Sequence, residues 1–219
     1  MKSAKFQIFG FNKNLNKYRY KILSKHLKGK TCLELGAGYG HITEQLRKRF
    51  SKLVTIEPDP ECFNNIIEGV EKYCTTIEDF EDSRKFDTVI CSNVLEHVDN
   101  VLEVLRKIST FGHDKTVYIF VVPNAISYNR LSGVDMGLLS LPNELTEQDV
   151  AAGHKRMFYP KMFREEIEVS GYEIELLETY LYKPFHNTYM SRLPSKVISH
   201  CFAMKMKDNG AEIIAVCKK

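Results

Sequence analysis

A chain of 219 residues, 43% hydrophobic and 27% charged, can fill one α/β core with a short appendage but would be cramped as two full domains. Its 31 basic and 28 acidic side chains leave a net charge of +3, which gives no general drive toward nucleic acid, and 12 Gly with 7 Pro exclude a fibrous or disordered composition. The six cysteines (Cys32, Cys62, Cys74, Cys91, Cys201, Cys217) stand singly, without a C-x-x-C pair or zinc-finger spacing, which fits a reducing compartment.

In chain order, residues 1–10 carry charge but no signal-peptide core, and no later run reaches membrane-spanning length, so a cytoplasmic protein without a membrane partner is expected. A helix is predicted over 15–27, then a strand over 31–35 that ends in a glycine-rich turn, and a helix over 41–49. The strand at 53–57 runs into Pro58, Asp59 and Pro60, where Asp59 can cap a helix whose first position is Pro60. Short strands follow at 70–74 and 86–92, a helix at 100–109, and the most apolar strand at 116–122, stopped by Pro123. Regularity is weak over 123–159. Beyond it the pattern gives a helix over 160–170, a strand over 172–181, a helix over 191–201 and a closing strand over 211–217 after the Asp208-Asn209-Gly210 turn. Repeated strand and helix with continuous apolar strands predict a mostly parallel sheet covered on both faces, with the last two strands forming an antiparallel pair at its edge.

The strongest local signal is Glu34-Leu35-Gly36-Ala37-Gly38-Tyr39-Gly40, at the end of a strand and the start of a helix. Glycines there let the backbone approach a ligand, and the helix start offers free N–H groups to an anion. A dinucleotide fingerprint needs G-x-G-x-x-G, whereas His41 stands at the third slot and the extra glycine comes one residue early at Gly40. Glu57 ends the next strand 57 − 36 = 21 residues after Gly36, where a carboxylate reaches the ribose hydroxyls of an adenosine cofactor.

Together with Phe86-Asp87 and Asn93-Val94-Leu95-Glu96-His97-Val98, these residues resemble the class I SAM-dependent methyltransferases (SAM, S-adenosylmethionine), in the small-molecule branch with the LEHV motif that includes ubiquinone-biosynthesis-type, natural-product and sugar enzymes. The resemblance covers 31–122 and implies a Rossmann-like, seven-stranded, mostly parallel sheet with helices on both faces and an antiparallel edge strand. It implies a single domain over 1–219, with an N-terminal cap over about 1–29 and an acceptor lid over about 123–159. SAM is the implied cofactor. Gly36, Ala37 and Gly38 would line its methionine and ribose, Glu34 would support the turn and reach toward the ammonium group, and Glu57 with Pro58 would bind the ribose. Ile77 would pack on adenine and either Glu78 or Asp79 would accept from its exocyclic amine. Asn93 and Val94 would floor the methionine portion, while His97 reads equally as a base or as a structural histidine at a helix start.

On the acceptor side, the segments 123–130 and 153–159 also resemble that branch. They single out His154 as general base or orienter, with His97 second, and Tyr128, Arg130, Arg156 and Tyr159 as acceptor-binding residues. Arg130 and Arg156 have a competing role, pinning the lid through Glu144, Glu147 or Asp149. The acid-free basic stretch 183–207 reads first as a solvated face. No residue cluster has metal-ligand spacing beyond Glu96, His97 and Asp99, which serve as well in a helix cap, so no metal is expected. The expected function is methyl transfer to a small-molecule acceptor, O-methylation of a polar or anionic metabolite, sugar or natural-product intermediate first, by a monomer or homodimer. N- or C-methylation, a peptide or protein acceptor, and a non-catalytic SAM-binding regulator are the alternatives.

Overall fold

The computed structural model describes residues 9–204 and 206–219; residues 1–8 of the expected cap lie outside the described residues. Helix α1 (Phe9–Leu23) leads to β1 (Thr31–Leu35), α2 (Thr43–Arg49), β2 (Lys52–Ile56), α3 (Pro60–Asn65), β3 (Glu71–Tyr73), β4 (Phe86–Ser92), α4 (Val101–Ser109) and β5 (Gly112–Pro123). Then come α5 (Tyr128–Asp135), α6 (Glu147–Ala151), α7 (Pro160–Val169), β6 (Glu173–Tyr180), α8 (Asn187–Met190), α9 (Ser195–Ala203) and β7 (Glu212–Lys218). Among the described residues no helix is long and apolar enough to cross a membrane.

One sheet of seven strands has the order β3-β2-β1-β4-β5-β7-β6. Strands β1 to β5 are parallel, and β7 runs antiparallel between β5 and the edge strand β6. The order reverses between β1 and β4, and at such a switch point the carboxyl ends of neighbouring strands part to leave a crevice.

Alternation along the strands divides the core into two layers. Leu33, Leu35, Val89 and Phe120 face α4 and α7 through Val104, Leu105, Phe163 and Ile167. Cys32, Ile90, Ile119 and Val121 face the other way, toward Leu23, Leu46, Ile198 and Phe202. Each fully buried Leu, Ile or Phe contributes about 1.5–3 kcal/mol relative to exposure. Helix α4 shows how the sequence specifies this: Val101, Val104, Leu105 and Ile108 fall on one helical stripe, and Asn100 Oδ1 caps the Glu103 amide at 3.3 Å. Asp59 likewise caps α3, whose first position is Pro60.

Several predicted bounds shift; the strand expected over 116–122, for one, begins four residues earlier, at Gly112. The first helix covers Phe9–Leu23 rather than 15–27. The single helix expected over 191–201 is two short ones, because Pro194 has no amide to continue a helix and stands instead as the cap residue before α9. The weakly regular stretch 123–159 contains α5 and α6, the latter closed by a reciprocal capping box between Thr146 and Asp149.

Candidate functional site

At the carboxyl end of β1 the amides of Gly36 and Ala37 both donate to the Ile56 carbonyl of β2, at 3.0 and 3.2 Å, and so lock the bend to its neighbour. Gly36 has φ +76° and a Cβ there would lie 2.3 Å from Val94 Cγ2, so the bend sits directly on the loop after β4. Gly38, at φ +53°, has nothing within 4 Å of such a Cβ and faces open space. Its amide donates to Glu57 Oε2 at 2.7 Å, and the Asp59 amide donates to Oε1 at 3.0 Å. Two acceptor sites of this 7%-exposed carboxylate are thereby filled, which leaves its remaining lone pairs for a ribose diol. Beneath the bend, Glu34 accepts from Thr43 Oγ1 at 2.6 Å and Thr55 Oγ1 at 3.2 Å, and burial pushes its carboxyl up to about 7. Glu34 therefore buttresses the turn from below. Ile77 is buried beside the cleft while Glu78 and Asp79 are exposed, and Asp79 accepts from Thr76 Oγ1 at 2.9 Å. Asn93 turns the chain off β4 in the left-handed region, φ +56°, with its amide on the Val121 carbonyl at 2.8 Å.

The second half of the cleft lies beyond β4 and β5. His97 and His154 meet edge to face, with ring centroids 4.8 Å apart at 79°. His154 Nδ1 stands 3.4 Å from Asp149 Oδ1 without completing a hydrogen bond. Burial alone would raise the Asp149 carboxyl; the His154 ring, Thr146 and Arg130 instead hold it well below the usual carboxylate range. Burial, and then the charge of His154, push His97 down. A second polar group ties α1 to β6 and β7: Arg19 Nε donates to Glu212 Oε2 at 3.0 Å, its NH2 pairs with the other oxygen, and the Tyr180 hydroxyl donates to Oε2 at 2.5 Å. Lys183, lowered to about 8 by burial, donates to Asn187 Oδ1 at 3.1 Å and lies in the field of Glu212, Asp149, Arg130 and Arg19.

A family described as "Methyltransferase domain" matches residues 10–177, more than half of the chain. The chain belongs to the methyltransferase domain family. Its fold is that of solved SAM-dependent methyltransferases. One, from Thermotoga maritima and described as a possible histamine N-methyltransferase, is 17% identical, with TM-score 0.70 over 95% of this chain and 92% of that one. Another, from Mesorhizobium loti, is 14% identical with TM-score 0.67 over 92% and 98% of the two chains. The plantazolicin methyltransferase, solved with a desmethyl substrate analogue and SAH (S-adenosylhomocysteine), is 15% identical with TM-score 0.60, covering 98% of this chain and 84% of that one. An "N-methyltransferase 4" of Papaver somniferum is 28% identical over 106 residues, 43% of this chain; the match spans 30% of that relative's length.

The methyltransferase domain brings Gly36, Ala37, Gly38, Glu57, Ile77, Asn93 and Val94 to one end of the sheet, because the register aligns Leu35 with both Ile56 and Cys91. Pro58 is exposed next to Glu57. Of the residues read as acceptor-binding, Tyr128 is 44% exposed and packs edge-on against Tyr182 at 5.3 Å. Arg130 takes the competing role. It is buried, and its guanidinium donates to the Pro142 and Glu144 carbonyls and to Asp149 Oδ2 at 3.2 Å, which ties α5 to the segment 142–149. Arg156 donates to the Asp99 carbonyl at 3.0 Å and lines, with Glu166, a cavity at the start of α4. Tyr159 donates to Asn143 Oδ1 at 3.2 Å, a contact within the segment 123–159. The sequence reading passed over Arg19 and Glu212, which are brought together by α1 and β7; the one signal for them was a lone acid opening an otherwise apolar strand.

Proposed function

We propose that the protein transfers a methyl group from SAM to a small-molecule acceptor, within the LEHV branch of the family, with O-methylation of a polar or anionic metabolite, sugar or natural-product intermediate as the first reading. The observation that supports it is the open face of Gly38 beside the Glu57 carboxylate, a cradle with room for a ribose where any side chain would intrude. Gly36, Ala37 and Gly38 hold the methionine and sugar, Glu57 takes the diol, Ile77 covers adenine, Glu78 or Asp79 meets its amine, and Asn93 with Val94 forms the floor. SAM supplies an electrophilic methyl on a good leaving group, so the protein's task is alignment of the acceptor and exclusion of water. His154, whose Nδ1 stands 3.4 Å from Asp149 Oδ1, is the group read as taking a hydroxyl proton, with His97, pushed down by burial, beside it. Lys183 offers charge to an anionic acceptor.

N-methylation is the second reading, favoured by the name of the poppy relative and by the Glu96 carboxylate beside the two histidines, which suits an amine. The chain is read as one domain over 1–219 with its N-terminal cap and 123–159 lid, acting as a monomer or homodimer in the cytoplasm, where its six free cysteines stay reduced. Calorimetric titration with SAM and SAH, followed by turnover on a panel of hydroxyl, amine and carboxylate acceptors, tests the proposal. Cofactor binding with hydroxyl-selective methylation is the expected result. Binding with no turnover on any acceptor favours a regulator, and no binding removes the reading altogether.

A further inference from the structure

Glu96 has no role in the cradle or in the base mechanism, and its surroundings leave it in an unusual position. It is 0% exposed, and neither carboxylate oxygen has a hydrogen-bond partner among the described residues. Leaving such a group unpaired is costly in either protonation state, because a neutral carboxyl also needs a partner for its hydroxyl. The cation whose field reaches it, Arg19, is already committed to Glu212 and Asn16. What does stand next to Glu96 is a pair of imidazoles: one ligand atom each from Glu96, His97 and His154 all lie within 4.8 Å of one another.

The outer contacts of these side chains complete the pattern. The Gly153 backbone stands against the His97 ring, where an added Cβ would lie 3.5 Å from Nδ1, and His154 Nδ1 faces the Asp149 carboxylate at 3.4 Å. Metal-bound histidines are oriented in this way, with the ring edge away from the ion held by a carbonyl or a carboxylate. The two segments are also tied together, since the Lys155 amide donates to the Glu96 carbonyl at 2.8 Å.

We propose that Glu96, His97 and His154 together bind one divalent first-row transition cation, with the remaining coordination positions open to water or to an acceptor oxygen. One carboxylate and two imidazoles form a donor set suited to Zn²⁺, Mn²⁺ or Fe²⁺. Ligands about 2.1 Å from a tetrahedral ion stand roughly 3.4 Å apart, so the three side chains draw in by about 1 Å when it binds. His154 lies in the lid and His97 in the turn after β4, so rotation of two side chains supplies that movement. The proposal rests on the reading of this cleft as the acceptor site: an acceptor hydroxyl bound to the cation is acidified and gives its proton to solvent water, so no free histidine is needed as base. Cation binding itself is measurable without any reaction.

The test uses the full chain, stripped with EDTA and dialysed, titrated with Mn²⁺ and with Zn²⁺ by calorimetry, with Mn²⁺ electron paramagnetic resonance as a second readout. SAH binding is measured on the same samples. One equivalent of cation per chain is expected, with affinity weakened at least about tenfold in both Glu96→Gln and His154→Gln and SAH binding unchanged in each. Fewer than about 0.2 equivalents bound at millimolar cation would overturn the site, as would binding in both variants equal to that of the wild type. His154→Gln, on the lid, serves if Glu96→Gln does not fold. If the cation binds and SAH does not, the cofactor reading fails and the metal site stands; SAH binding without cation gives the reverse.

Discussion

The Gly38 amide donates to Glu57 Oε2 across 2.7 Å, so the carboxylate that is proposed to bind the ribose also fixes the bend on which the ribose would lie. Glu57→Ala is therefore expected to lower affinity for SAM and SAH at least about tenfold, a loss of about 1.4 kcal/mol or more, by removing both functions. Calorimetry with SAH checks it, and unchanged affinity would remove the cradle.

Two glycines of the bend separate cofactor binding from folding. A methyl at Gly38 meets only open space, so Gly38→Ala should cost roughly 1 kcal/mol of stability for its left-handed backbone while blocking the cofactor. A methyl at Gly36 meets Val94 at 2.3 Å, so Gly36→Ala should destabilise the protein by a further ~1–3 kcal/mol. Urea unfolding beside SAH titration distinguishes the two.

On the acceptor side, His154→Ala and Asp149→Ala should each reduce kcat by about two orders of magnitude or more under the base mechanism. SAH affinity should stay within about twofold of the wild type, because neither residue touches the cradle. Arg130→Met, which frees the lid from Pro142, Glu144 and Asp149, should raise KM for the acceptor and increase proteolysis within 136–153.

The ligand-free protein should lose stability as pH rises. Burial lifts Glu34 from its ordinary range to about 7, so its contribution is fully present below its unfolded value near 4.5 and is lost as pH climbs through 7, on the order of 3 kcal/mol in all. Glu34→Gln should flatten the stability profile between pH 5 and 8, measured by urea midpoints; a profile that kept the same slope would mean that the shift has been assigned to the wrong group.

Arg19→Met strands Glu212, which burial would raise but which Arg19 and the Tyr180 hydroxyl hold below its ordinary range. The single variant should lose about 3–5 kcal/mol, and the double variant with Glu212→Leu should regain much of it. Thermal unfolding of the single and double variants reads the difference.

Much of the fold was legible because it is written in local patterns. Continuous apolar runs such as Val117 to Val122 announce central strands, Asp59 and Pro60 announce a helix start, and the glycines of 36–40 need left-handed backbone that other residues resist. The gathering of Gly36, Gly38, Glu57 and Asn93 at one end of the sheet was legible for the same reason, since they stand at strand ends whose order is fixed by the parallel register. The acceptor side was not. Arg130 carries the same charge whether it binds a ligand or a lid carbonyl, and only the positions of Pro142 and Glu144 decide between them. The meeting of Glu96 with His154, and of Arg19 with Glu212, depends on tertiary folding that no spacing rule encodes.

Strand β7 is the last of the seven in sequence, yet it is inserted between β5 and β6 and carries Glu212 at its first position. Until it docks, β5 and β6 have raw, sticky edges and Arg19 has no counterion. Completion of the sheet and neutralisation of Arg19 are thus one late event, and a nascent chain still short of residue 212 would be prone to aggregate.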